Sequence, residues 1–85
     1  ERLELAAEQI EVGDGTLFVG RSIKDANLRQ DFGVIVVAIK RKAGHMEFNP
    51  PPEAMIAAND QLVVLGSTDQ LKALEAAAAG TRATR

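Results

Sequence analysis

Cysteine is absent from the 85-residue chain. That excludes a disulfide framework, a thiolate zinc site and a thiol nucleophile. A single His leaves no usual imidazole cluster for a metal and makes most acid–base triads untenable. Trp and Tyr are also missing, and three Phe give little aromatic surface on which bases could stack. Positive charge is not in excess: the net charge is −2 and the isoelectric point about 5.3, which argues against a dedicated nucleic-acid binder. No apolar run approaches the roughly 20 residues that cross a bilayer, so direct membrane insertion is not expected. No signal-peptide pattern is present. The chain opens on Glu1 rather than Met, as a piece of a longer protein would.

What is present is a chain of single-domain length. Hydrophobic types make up 46%, but fourteen of those residues are Ala. A domain this small buries only about 60–65% of its unfolded surface. Its own core is therefore modest, and a partner surface would help it.

Residues 3–12 (LELAAEQIEV) fit two readings. Leu3, Leu5 and Ala7 alternate with polar or small neighbours as in a half-buried strand. Leu, Ala, Glu and Gln are also strong helix formers. As a strand the segment changes phase before Ile10 and Val12, which a β-bulge near Glu8 or Gln9 would repair. Residues 13–16 (GDGT) are a turn, and Leu17 to Gly20 an extended link. Ser22 with Asp25 has capping-box spacing and predicts a helix over 23–31, ended by Gly33 in the left-handed region.

Residues 34–39 (VIVVAI) read as a strand covered on both faces, since six consecutive apolar residues leave no polar side. Lys40, Arg41 and Lys42 mark its exit to solvent. A hairpin through Ala43, Gly44 and His45 leads to a short strand, 46–48. Pro50, Pro51 and Pro52 then stop pairing, because Pro has no N–H to donate. Residues 53–56 form a helical turn or an irregular crossing, and Asn59–Asp60 a turn. Residues 61–65 (QLVVL) are the next strand. Ser67 with Gln70 starts a helix over 68–79 that Gly80 ends. Residues 81–85 (TRATR) read as a frayed, disordered tail behind a single domain of residues 1–80. The fold class is α+β, a small mixed sheet with helices packed on it, in the order strand, helix, strand, strand, strand, helix.

Few residues offer chemistry. The glycines at 13, 15 and 20 lack the spacing of a phosphate loop and serve turn geometry. His45 beside Glu47 cannot complete a metal site alone. The run Lys40-Arg41-Lys42 is that of a solvated strand end. Arg29 has two readings: a cation suited to the end of a helix, or a guanidinium poised for a phosphate. The Pro run is a rigid crossing that also offers flat apolar walls.

The ordered string VGRSIKDANLRQDFGVIVVAIKR, then NPPPEAMIAANDQLVVLGSTDQLKALE, resembles the C-terminal subdomain of the regulator-of-K⁺-conductance (RCK_C) family, the TrkA-C domain. The carriers are Gly20 to Ile23, Leu28 to Val34, Val36 to Arg41, Pro50 to Pro52, Asn59 to Gly66 and Leu71 to Leu74. No single motif is specific; their order and spacing over about residues 3 to 78 are. The resemblance implies that residues 3–12 are a strand. It implies a non-enzymatic regulatory domain on the cytosolic side of a K⁺ channel or cation transporter, working with a pore or transporter subunit and pairing as a two-fold homodimer.

Some members of that family bind cyclic di-AMP between two copies of this subdomain. Carried over, the resemblance implies apolar contacts from Ile23 and Val36, a polar contact from Asn27, a phosphate contact from Arg29 and a ring-packing wall from Pro52. Lys24 stands where relatives often have an apolar residue. Other members bind no dinucleotide, and some respond to divalent cations. The alternative implied is a purely structural dimerisation module. No other cofactor is implied.

Overall fold

The computed structural model describes residues 4–79. The elements in chain order are β1 (Ala6–Glu11), α1 (Ile23–Ala26), α2 (Leu28–Phe32), β2 (Ile35–Lys40), β3 (Met46–Phe48), β4 (Gln61–Gly66) and α3 (Thr68–Ala78). The four strands form one sheet in the order β1-β4-β2-β3. Every pairing is antiparallel, so the sheet is not the mixed one expected. The apolar strand QLVVL takes a central place and pairs with β1 on one side and β2 on the other.

Residues 3–12 resolve as a shorter strand, and no bulge interrupts it. β1 pairs β4 in continuous register from Ala6↔Gly66 to Glu11↔Gln61. Ile10 lies opposite Leu62 on the core side, whereas Val12 falls past the strand's end and is buried there. Leu5 and Ala7 therefore face the other side of the sheet, and both are exposed. Leu3 lies outside the described residues. The irregularity sits instead in β2, between Val36 and Ala38.

The segment 17–20 is not extended. It curls through turns, with the Val19 N–H donating to the Thr16 carbonyl and the Arg21 N–H to the Phe18 carbonyl. These turns drop Phe18 into the core edge-on to Phe32, ring centres 6.1 Å apart. The helix expected over 23–31 is two short helices broken at Asn27, which adopts φ 58° and ψ 36°. Asn tolerates this left-handed conformation better than other non-glycine residues. Gly33 ends α2 at φ 71° as expected.

α3 starts where its capping box predicts. The Gln70 N–H donates to the Ser67 hydroxyl at 3.2 Å, and the Ser67 N–H donates to the Gln70 amide oxygen at 2.9 Å. Leu71, Leu74 and Ala78 on one face of α3 pack with Ile10, Leu62, Val64, Ile39, Val12, Val34, Leu28 and Ile56. Each large apolar side chain so buried contributes roughly 1.5–3 kcal/mol. Gly80 and the tail 81–85 lie outside the described residues. β2 departs from the sequence expectation at its start: Ala38 and Ile39 are both buried, but Ile35 is 58% exposed, so the cover over the strand is incomplete.

Candidate functional site

The six residues implied as ligand contacts come together. Ile23, Lys24, Asn27, Arg29, Val36 and Pro52 all line one groove of 240 Å³, with Leu28, Val34 and Ile35 completing its wall. The convergence has a local cause. Residues 20–24 and 52–56 run as a two-stranded ribbon: the Gly20 N–H donates to the Ile56 carbonyl, the Ile56 N–H to the Arg21 carbonyl, the Ile23 N–H to the Ala54 carbonyl, and the Lys24 N–H to the Pro52 carbonyl at 3.0 Å. This ribbon fixes Pro52 against the start of α1. Val36 arrives through β2, whose start packs under α2.

Asn27 acts as the corner. Its left-handed backbone redirects the chain, and Lys24 in α1 and Arg29 near the start of α2 both border the groove. Its amide nitrogen donates to the Asp31 carboxylate at 3.3 Å. Arg29 is the second residue of a five-residue helix, too short for one end to hold a cation by macrodipole. Among the described residues neither Lys24 nor Arg29 makes an ion pair. The groove thus combines an apolar floor from Ile23, Val36 and Pro52 with two uncommitted cations. That combination suits a ligand with flat apolar parts and anionic groups.

Sequence reasoning missed a second cluster. Arg41 is no solvated strand end. Its Nη1 donates to the Asp60 carboxylate at 2.6 Å and to the Met55 carbonyl at 2.7 Å, and its Nε and Nη2 grip both oxygens of Glu47 at 3.2 and 3.0 Å. Asp60 is 2% exposed and also accepts the Ala57 N–H at 2.8 Å. The guanidinium bonds hold the Glu47 carboxyl below its ordinary value of 4.5, and the same bonds raise Arg41 against the opposing effect of burial. The cluster ties the β2–β3 hairpin to residues 55–60, downstream of the Pro run. Nothing in the charge run itself sets Arg41 apart from Lys40 and Lys42. His45 is exposed, 3.9 Å from Glu47. Among the described residues no three His, Cys, Asp or Glu side chains gather into a metal site.

Comparison with known proteins identifies the architecture. The TrkA-C domain family model matches residues 7–79. The chain belongs to the TrkA-C family. A curated relative, the K(+)/H(+) antiporter subunit KhtT of Bacillus subtilis (strain 168), is 32% identical over 71 residues, 84% of this chain and 43% of that protein. The chain therefore spans less than half the length of this relative. Among solved structures, the RCK_C domain dimer of S. agalactiae BusR in complex with c-di-AMP superposes with a TM-score of 0.78 at 26% identity, over 86% of this chain and 89% of that one. The RCK C domain of the potassium transport protein KtrA in complex with c-di-AMP gives 0.75 at 25% identity, over 85% and 81%. The GsuK RCK domain gives 0.73 at 25% identity, over 88% of this chain and 16% of that one. This TrkA-C domain shares their small antiparallel sheet with helices. Its groove is built from the elements that the sequence resemblance singled out.

Proposed function

We propose that this TrkA-C domain senses cyclic di-AMP for a K⁺ channel or cation transporter, acting on the cytosolic side as a two-fold homodimer and catalysing nothing itself. The observation that carries the reading is the groove: apolar Ile23, Val36 and Pro52, polar Asn27 and cationic Lys24 and Arg29 on one surface. Solved relatives in complex with c-di-AMP support the choice of ligand, and a K(+)/H(+) antiporter subunit supports the transport setting.

The size of the groove fits half a site. One groove of 240 Å³ falls below the roughly 300–1,000 Å³ of usual small-molecule cavities, and two copies facing each other across a dyad fall inside that range. A ligand with two bases and two phosphates matches such symmetry, since each protomer supplies the same half-site. The base rests on Pro52 and Ile23; Arg29 pairs with the phosphate through charge-assisted bonds. Lys24 adds a second cation where an apolar wall is more usual, shifting the balance towards phosphate. Binding favours the protomer arrangement that brings both half-sites together, and the dimer equilibrium moves by that difference in affinity. In the full-length protein this movement is what a pore or transporter subunit would receive.

Titration calorimetry with cyclic di-AMP tests the reading. Binding should appear at micromolar ligand, and Arg29→Ala should weaken it by about 1.5–3 kcal/mol, the scale of a charged hydrogen bond. Absence of heat at tens of micromolar would remove the ligand and leave a structural dimerisation module.

A further inference from the structure

α1 and α2 line a second cavity with residues that the groove does not share. It measures 540 Å³, more than twice the groove, and lies within the roughly 300–1,000 Å³ usual for small-molecule sites. Its walls are apolar: Phe18 and Phe32, set edge-on to each other, with Ala26 and Leu17. Leu17 is 78% exposed, an apolar side chain left uncovered at the opening. Three polar residues from separate segments join that lining: Thr16, Arg21 and Asp31.

These polar groups are uncommitted. Thr16 is 9% exposed, and its buried hydroxyl oxygen has no hydrogen-bond partner among the described residues. Buried hydroxyls are nearly always bonded, and an unpaired one destabilises the fold that holds it. Arg21 and Asp31 are both exposed, and among the described residues neither forms an ion pair, with the other or elsewhere. Asp31 accepts the Asn27 side-chain amide at 3.3 Å.

We propose that this cavity is a second ligand site, for a free apolar α-amino acid with an aromatic or branched side chain. The lining sets that chemistry. A wholly apolar guest would leave the Thr16 hydroxyl unpaired and cover two charges without answering them. An anion alone would face Asp31, and a cation alone would face Arg21. A zwitterion with an apolar body answers all three: its carboxylate pairs with Arg21, its ammonium with Asp31, and its side chain packs against Phe18 and Phe32. The Thr16 hydroxyl can donate to the carboxylate. The site meets the groove at one point, because an ammonium drawn to Asp31 competes with the Asn27 amide at the groove's corner. An amino acid bound here therefore alters the affinity for cyclic di-AMP, a consequence that rests on the proposed reading of the groove.

Titration of the isotope-labelled chain with L-phenylalanine and L-leucine, followed by NMR without cyclic di-AMP present, tests the site. Amide shifts should concentrate at residues 15–21, 26, 31–32 and 77. Phenylacetate, which lacks the ammonium, and phenethylamine, which lacks the carboxylate, should each bind about tenfold more weakly than phenylalanine. Arg21→Ala should weaken phenylalanine binding by about the same tenfold factor. Thr16→Val, equal in size, should melt no lower than the wild type and still bind phenylalanine more weakly, a combination that a merely structural hydroxyl would not give. Absence of shifts in that set at millimolar amino acid would overturn the site. So would phenylacetate or phenethylamine binding as well as phenylalanine, or Arg21→Ala binding like the wild type. Calorimetry with cyclic di-AMP, with and without phenylalanine, reads the coupling, and an unchanged affinity would overturn it. Phenylalanine binding by a chain indifferent to cyclic di-AMP would support this site while removing the reading of the groove.

Discussion

Replacing Arg41 by alanine removes the bonds that hold residues 55–60 to the β2–β3 hairpin, and the structure sets the size of the effect. Asp60, 2% exposed, would keep only the Ala57 N–H at 2.8 Å as a partner for its charge, and the Met55 carbonyl would lose a 2.7 Å donor. Breaking a buried pair from one side costs about 3–5 kcal/mol. Arg41 itself is 23% exposed, so water reaches part of the vacated space and about 3 kcal/mol, the lower end of that range, is expected. For an 85-residue domain each kcal/mol moves Tm by about 4–8 °C, so Arg41→Ala should melt roughly 12–24 °C lower. Urea denaturation and a melting scan at one fixed protein concentration would check this, because dimerisation makes Tm depend on concentration. Adding Asp60→Asn to Arg41→Ala should recover part of the loss, since the unpaired charge disappears. A single mutant within 2 °C of the wild type would refute the argument.

Three further expectations follow from local geometry. Glu47 has a lowered folded value, so its pairing with Arg41 stabilises above the ordinary 4.5 and is lost as pH falls through the folded value; Glu47→Gln should show a flatter acid limb in a pH-dependent melt. Gly33→Ala should cost about 1–2 kcal/mol by denaturant titration, because φ is 71° and the added Cβ meets the Gln70 side chain that caps α3; a smaller loss than 0.5 would count against it. Asn27→Gly should leave stability within about 0.5 kcal/mol whereas Asn27→Ala should lose about 1 kcal/mol, as expected of a left-handed corner. Equal stabilities for the two variants would argue against that role.

Much of the fold was legible because its signals are short-range. The Ser67–Gln70 capping box, the Asn59–Asp60 turn and the QLVVL strand each depend on neighbours within a few residues. Reading failed where two local rules competed. The Ser22 cap and the Gly33 terminator bracket one helix over 23–31, but Asn27's tolerance of the left-handed region breaks it in two. The apolar outward positions at the start of β1 suggested a bulge, when they mark a second apolar face. Lys40-Arg41-Lys42 looked like one solvated charge run because the carboxylate that Arg41 pairs with lies 19 positions away. The groove residues were named through the family resemblance, since nothing in their own spacing joins Ile23 to Pro52.

The starts of α1 and α3, the QLVVL strand and the lack of thiol chemistry were decided by the sequence alone, through backbone preferences and side-chain inventory. Which face of each strand is covered, which cation is free and which is tied, and how Arg29 comes to share a surface with Pro52 were decided only by the tertiary structure. The reason is physical: those outcomes depend on sheet register and on the ribbon between residues 20–24 and 52–56, contacts between segments too far apart in the chain for local preferences to encode.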